Sequence, residues 1–489
     1  MDLSIDEKSI ILDEDETSST GMKIRCIVAG VCFFVIFLLA YMYEMDKGYF
    51  DENASGFMGM LLGMGHLSYL PRSIISGLLL LVAALCGKPR ISKGISYNKL
   101  FAYVWLLMNL TFIIAGLFHD IEEGFLISQI FVFIAVPLFY LGWMQRGNLD
   151  RLYTVFAISV AAFYLITVIV CIIWFPYGSE YVKHNVTASG REVEVVMSTL
   201  DPAGVRYMGL MPNPSRIAHF ATPAAICSLY LIYRAKGYIS WLPAITLGAS
   251  VSMAVLAISR ASIISIALAG VGFLVIYFRE KLSWKKLLIS LLSAVIAFNA
   301  GYFLVNRGQD KLDIYSNVLN IQESYAANEA DEKKQAEDED SQVQNRFKLS
   351  GTINGVASGR VGIWLAFINR MNLQGHDVRY YYPLRVMNPD NNTYFYFSYP
   401  HNVVIDYGYR CGLITGILFL LLEIMGLVYC LKTMFSRKRK PQKGELFAVM
   451  GILAFMVTGN VESVDHVFTR IILVVFYLSL IPVFAKKEK

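Results

Sequence analysis

Charge is what this chain has little of: 17% of its 489 residues are Asp, Glu, Lys or Arg, against about 25% in a soluble domain. It also lacks the periodic apolar stripes of amphipathic helices. Its apolar residues, 56% of the chain, come as unbroken runs such as IVAGVCFFVIFLLAYMY (27–43) and TVFAISVAAFYLITVIVCIIWF (154–175). A helix needs about 20 such residues to cross about 30 Å of hydrocarbon. So many runs exclude an ordinary water-soluble enzyme. A cysteine framework is missing too. Cys26, Cys32, Cys86, Cys171, Cys227, Cys411 and Cys430 lie in or beside apolar runs, with no metal-ligand spacing and no two in one outer connector. Disulfides are therefore not expected. No cleavable signal peptide is visible. Residues 1–20 are polar and acidic (IDEKSIILDEDETSST), and the first apolar run has no small-residue cleavage site, so that run is expected to stay as the first span.

What is present reads as an all-α polytopic membrane protein of about 12 transmembrane helices. Runs and breaks predict spans near 24–43, 68–87, 100–118, 124–143, 152–175, 216–234, 238–257, 261–278, 287–305, 403–431, 446–461 and 468–485. Every second connector is basic: KPRISKGISYNK (88–99), MQRGNLDR (144–151), RAKG (234–237), REKLSWKK (279–286) and SRKRKPQK (436–443). By the positive-inside rule these face the cytoplasm, and the alternation holds without a skipped span. Residues 1–23 then form an acidic cytoplasmic tail, and 486–489 (KKEK) a basic one. The spans of 24–305 precede a large outer loop at 306–402, and the last spans occupy 403–485.

A second long outer connector covers 176–215. Long translocated loops between short inner turns place chemistry or recognition outside, unless they are insertions without a role. Within the large loop, 323–340 (ESYAANEADEKKQAEDED) is acidic and poor in apolar residues, a composition for a solvated stretch. Residues 379–400 (RYYYPLRVMNPDNNTYFYFSYP) are dense in Tyr and Phe. Such rings either stack on sugar faces or form an interfacial belt.

Charges at the rim of a membrane domain are costly and tend to serve a cavity. On the outer side stand Arg72, Arg206, Arg216, Arg260 and Arg410 at span ends, with Arg360 in the large loop. Guanidinium is always charged and grips phosphate in a bidentate fork, although any one of them could instead snorkel to headgroups. All seven histidines (66, 119, 184, 219, 376, 401, 466) fall in outer loops or at outer span ends. Glu423 lies mid-span, for which hydrogen bonding to a neighbouring helix is the expected role. The glycines of GFMGMLLGMG (56–65) signal close helix approach. The stretch NVESVDHVFTR (460–470) gathers Glu462, Asp465, His466 and Arg470 at a spacing that matches no metal motif.

One stretch is sharper. HNVVIDYGYRCGLITG (401–416) gives His401-Asn402, then Gly412-x-x-Thr415 on entry to an apolar helix. It resembles the histidine motif of bacterial O-antigen ligases and the related repeat-unit polymerases. Three further segments come in that family's order. VRYMGLMPNPSRIAHF (205–220) resembles its Arg-x-x-Gly…Asn-Pro-Asn segment, with Ser215 in place of the second Asn. ISRASIISIALAG (258–270) resembles its Ser-Arg-Gly/Ala turn between spans, and ASGRVGIWLAF (357–367) its Ser-Gly-Arg…Trp loop segment.

The resemblance implies a GT-C-like membrane glycosyltransferase that takes a glycan from undecaprenyl diphosphate on the outer leaflet. A polymerase passes it to the next lipid-linked repeat unit of an O-antigen, capsule or exopolysaccharide, a ligase to a lipid A core. His401 is then the base that takes the acceptor proton, since an unperturbed imidazole titrates near pH ~6.5. Arg260 and Arg206 are the first choices for the leaving diphosphate, with Arg360 closing from the loop and Arg72, Arg410 and Asn402 as further substrate contacts. The competing role for His401 is a loop residue capping the tenth span, with Asn402 satisfying the first amides. No cofactor or metal is implied. The expected partners are the lipid-linked oligosaccharide, membrane lipids and a chain-length regulator, with no nucleic acid. The polymerase is favoured over the ligase. A twelve-span transporter is the reading from another class, but no half-to-half repeat is visible.

Overall fold

A computed structural model describes residues 20–44, 69–90, 97–176, 178, 180–186, 192–200, 206–209, 211, 213–306, 360–377, 384–387, 394–397, 399–436, 441–442, 444–462 and 466–485. The acidic run 323–340, the glycines of 56–65 and Asp465 lie outside them, as does most of the Tyr/Phe-rich stretch. The described chain is dominated by helices. Those before the large loop are α1 (Thr20–Glu44), α2 (Tyr69–Leu85), α3 (Lys99–Phe118), α4 (Glu123–Phe139), α5 (Leu149–Trp174), α6 (Pro214–Arg234), α7 (Trp241–Leu256), α8 (Arg260–Arg279) and α9 (Trp284–Asn306). After them come the short α10 (Arg360–Ile368), α11 (Val403–Cys411), α12 (Leu413–Phe435), α13 (Glu445–Val461) and α14 (Ile471–Ser479), the last continued by a 3-10 turn (Ile481–Phe484).

Among the described residues, seven helices are long and apolar enough to cross a membrane: α1, α3, α4 with its π turn to Met144, α5, α8, α9 and α12. Shorter apolar helices are α2, α7, α13 and α14 with its 3-10 turn. These dimensions are those of an α-helical membrane protein. The expectation of helices alone needs an addition. The two long connectors carry antiparallel hairpins, β1 (Glu180–Val186) with β2 (Glu192–Ser198) and β3 (Leu384–Met387) with β4 (Tyr394–Phe397).

Helix starts are written into the sequence. The Asn98, Asn213, Ser259 and Asn402 side chains accept from the amides of Phe101, Ser215, Ser262 and Ile405, which fixes the first turns of α3, α6, α8 and α11. Pro214 occupies the first turn of α6, where no amide donor is needed. Helix α14 is buried over its whole length and α6 and α13 over most of theirs, and these three form the centre. By contrast α9 turns Leu288, Leu291, Leu292, Val295, Ile296 and Phe303 outward, an apolar exterior that only lipid accommodates. The basic connectors have a structural use as well. Arg279 donates to the carbonyls of Thr433 and Met434, and Lys286 to those of Tyr233 and Ala235.

The single span expected at 403–431 is broken. Gly412, at φ +95°, separates α11 from α12, a conformation that essentially only glycine adopts. The break frees carbonyls that the end of the large loop then occupies. His376 donates its backbone N–H to Arg410 O (3.1 Å) and its Nδ1–H to Tyr409 O (2.8 Å), and Leu413 N donates to Asn372 O (2.8 Å). A Cβ on Gly412 would overlap the Leu373 carbonyl. Gly412→Ala therefore combines a clash with a disallowed backbone, and should cost about 2–3 kcal/mol. A lower midpoint in thermal unfolding of the detergent-solubilised protein checks this; an unchanged midpoint contradicts the lock.

Candidate functional site

Five elements far apart in sequence bring polar ends together at one end of the bundle. Glu44 closes α1, Arg216 and His219 open α6, His401 precedes α11, Glu462 follows α13, and Arg470 precedes α14. All six line one cavity of about 230 Å³, with Tyr399 and His466 also on its wall. The lining is unusually polar for a membrane-sized helical domain, and such groups are retained where they serve a cavity.

Glu44 organises one side. Its side chain is 1% exposed, yet it accepts from Arg470 Nη1 at 2.6 Å and from Arg216 Nη1. One carboxylate between two guanidiniums leaves a net positive charge facing the cavity. Glu462 organises the other side. Arg360 Nη2 lies 3.5 Å from one carboxylate oxygen and His219 Nε2 4.0 Å from the other. Burial raises the Glu462 carboxyl above the ordinary range, while the charges of Arg360, Arg206 and Arg470 pull it back down. His219 is 5% exposed, and neither ring nitrogen has a hydrogen-bond partner among the described residues. A buried imbalance of that kind, facing a cavity, suits a ligand hydroxyl or water.

His401 sits on the cavity wall at φ +52°. A non-glycine residue in the left-handed region costs about 1–2 kcal/mol, and such strain gathers at functional sites. The cap of α11 is Asn402, one residue on. Its Oδ1 accepts from Ile405 N (3.0 Å) and its Nδ2 donates to Asn460 O (3.1 Å) and Oδ1 (3.2 Å). Asn402 thus anchors α11 to α13 and is not among the residues lining the cavity. Asn460 in turn donates to both oxygens of Glu423 at 3.2 Å. The mid-span glutamate therefore has the interhelical role expected of it.

The predicted arginines divide. Arg360 reaches the site, held over Glu462 by α10, whose Phe367 ring meets Tyr409 of α11 at 4.9 Å. Arg206 is close enough for its charge to act on Glu462, and its Nε donates to Ala257 O at 3.0 Å. Arg72 and Arg410 act through the wall. The first guanidinium lies over Tyr43, itself a lining residue. The second pairs with Asp406 (2.9 Å) and lies over Tyr399. Arg260 begins α8, is half-buried, and does not line the cavity. In its place stand Arg216 and Arg470, which the sequence shows only as basic residues at an outer edge.

Glu44 and His219 carried little sequence signal. A single carboxylate ending an apolar run, as in YMYE (41–44), is the trace that Glu44 leaves. His466, spaced like a ligand to nothing, pairs with Glu122 (3.5 Å) and meets Tyr69 edge-on. All seven cysteines are free thiols. Among the described residues no three His, Cys, Asp or Glu side chains are grouped to hold a metal ion.

Removing one partner of a buried ion pair leaves a bare charge, at about 3–5 kcal/mol. Glu44→Ala should lose stability in that range, and adding Arg216→Ala should recover part of it. A double-mutant cycle on thermal unfolding checks the coupling, and strict additivity would rule it out. No protein-family model matches the chain, and a search of curated proteins gives no match.

Proposed function

We propose that this protein is a membrane glycosyltransferase that polymerises lipid-linked glycan repeat units. The observation that carries the reading is one cavity lined by His401, Arg216 and Arg470, with Arg360 beside it through Glu462. It is the constellation that attack of a sugar hydroxyl on a polyprenyl-diphosphate sugar requires. The resemblance of 401–416, and of the segments containing Arg206, Arg260 and Arg360, supports the same reaction.

In this mechanism the acceptor hydroxyl oxygen attacks the anomeric carbon of the donor sugar while its proton passes to His401. The bond from that carbon to the diphosphate oxygen breaks, and undecaprenyl diphosphate leaves with the electron pair. Charge growing on the leaving oxygen falls to Arg216, Arg470 and Arg360. They are already oriented by Glu44 and Glu462, so little reorganisation is needed in the transition state. Tyr399 and the rings near it offer a face for a sugar.

The topology belongs to the same proposal. With α11 and α12 taken as one broken span, we read twelve spans, a count supported by the seven long apolar helices, the four shorter ones and α6. The basic connectors then put both termini in the cytoplasm and the cavity at the outer face of a bacterial cytoplasmic membrane. That is the leaflet where flipped lipid-linked glycans present their sugars.

Expression in a polymerase-deficient strain supplying a matched repeat unit should restore a ladder of glycan lengths on a gel. Transfer of single units to a lipid A core would instead identify a ligase, and no new product would favour a transporter. His401→Gly relieves the left-handed strain, so it should abolish the ladder without lowering protein level or thermal stability. Arg216→Ala should slow transfer about 100- to 1,000-fold, the usual effect of losing one transition-state contact. A normal ladder from the His401 variant removes its role as base.

A further inference from the structure

A second cavity, larger than the one that holds the histidines, lies elsewhere in the described molecule. A groove of about 770 Å³ opens at the other end of the bundle, between the start of α3 and the C-terminal half of α12. Its floor is the 3-10 turn after α14. Asn98 N donates to Phe484 O (2.7 Å), and Tyr97 pairs with Ala485 in an isolated bridge. One wall is apolar and faces outward: Leu100, Ile424 and Val428 are 66%, 45% and 41% exposed. At the polar mouth stand Lys99 and Lys432, both exposed. Among the described residues neither ammonium takes part in an ion pair. Glu445, which the lining residue Tyr429 reaches, is buried and occupied by Tyr429 Oη–H and Gln442 N, both at 2.7 Å. In the sequence, Arg437, Lys438, Arg439 and Lys440 follow α12, and Lys486 and Lys487 follow Ala485.

We propose that this groove is a binding site for an anionic phospholipid. Its phosphate lies between Lys99 and Lys432, and an acyl chain runs along Leu100, Ile424, Met425 and Val428. An exposed apolar trough that ends in two ammonium groups matches the two halves of such a lipid, whereas a soluble anion would leave the trough unfilled. A basic pocket between spanning helices on the cytoplasmic side is where anionic headgroups gather, and the topology proposed above gives this end that side. The site stands apart from the chemistry. The lipid would brace α3 against α12, the helix whose first residues lock the large loop.

The test is native mass spectrometry of the full chain in detergent, titrated with phosphatidylglycerol or with phosphatidylcholine of the same acyl chains. The unaltered chain should prefer phosphatidylglycerol. Each lysine near an anionic phosphate contributes about fivefold, so Lys99→Gln with Lys432→Gln should weaken phosphatidylglycerol binding roughly thirty-fold. Val428→Trp keeps both charges, fills the apolar half and should also displace the lipid. Equal binding of the two lipids, unchanged binding in both variants, or full displacement by inorganic phosphate alone would each overturn the assignment. Glycan transfer does not enter the readout, so its loss would speak to the proposed function alone.

Discussion

A single carboxylate, Glu44, holds the site together. It is buried between Arg216 and Arg470, and so it joins the end of α1 to the beginnings of α6 and α14. Out of water an ion of either sign is costly alone, and the cost is offset only while all three stay in contact. That condition positions the helix ends more stringently than apolar packing does, because lipid and helix interior are nearly equivalent to a leucine. The same arrangement holds two guanidiniums beside one carboxylate at the cavity wall.

The second constraint is the break at Gly412. A continuous helix through 403–435 would satisfy its own carbonyls and offer the large loop nothing to hold. Because the chain turns there, Tyr409 and Arg410 present carbonyls that His376 takes up. The segment behind α10 is fixed, α10 packs on α11, and Arg360 is brought to Glu462. Asp377 adds a second attachment, accepting from Asp120 N at 2.8 Å. A loop residue thereby gains a position set by helix geometry. The same short element carries His401 at its start and the break at its end, so the proposed base and the loop cation are placed by one piece of structure.

The two ends of the bundle differ in what their charges do. Around the small cavity, acids and bases interlock across five elements. At the opposite end Arg279 and Lys286 cap helix C-termini, where a cation also meets the negative end of the helix dipole, while Lys99 and Lys432 remain open. That end also joins helices by charge, since Arg234 at the end of α6 pairs with Asp150 at the start of α5 at 2.6 Å.

Much of the fold was legible in the sequence because spanning helices follow from uninterrupted apolar length, a local property. The cap at Asn402 was likewise local. His401 and Arg360 stood out by motif. Glu44, His219 and the partnership of Arg216 with Arg470 did not, since their meaning lies in contacts across up to 426 positions of chain. The sequence by itself determined that this is a helical membrane chain with polar groups at one set of helix ends. Only the tertiary structure decided which of them meet, because desolvated charges interact over a few ångströms in space and carry no signature along the chain.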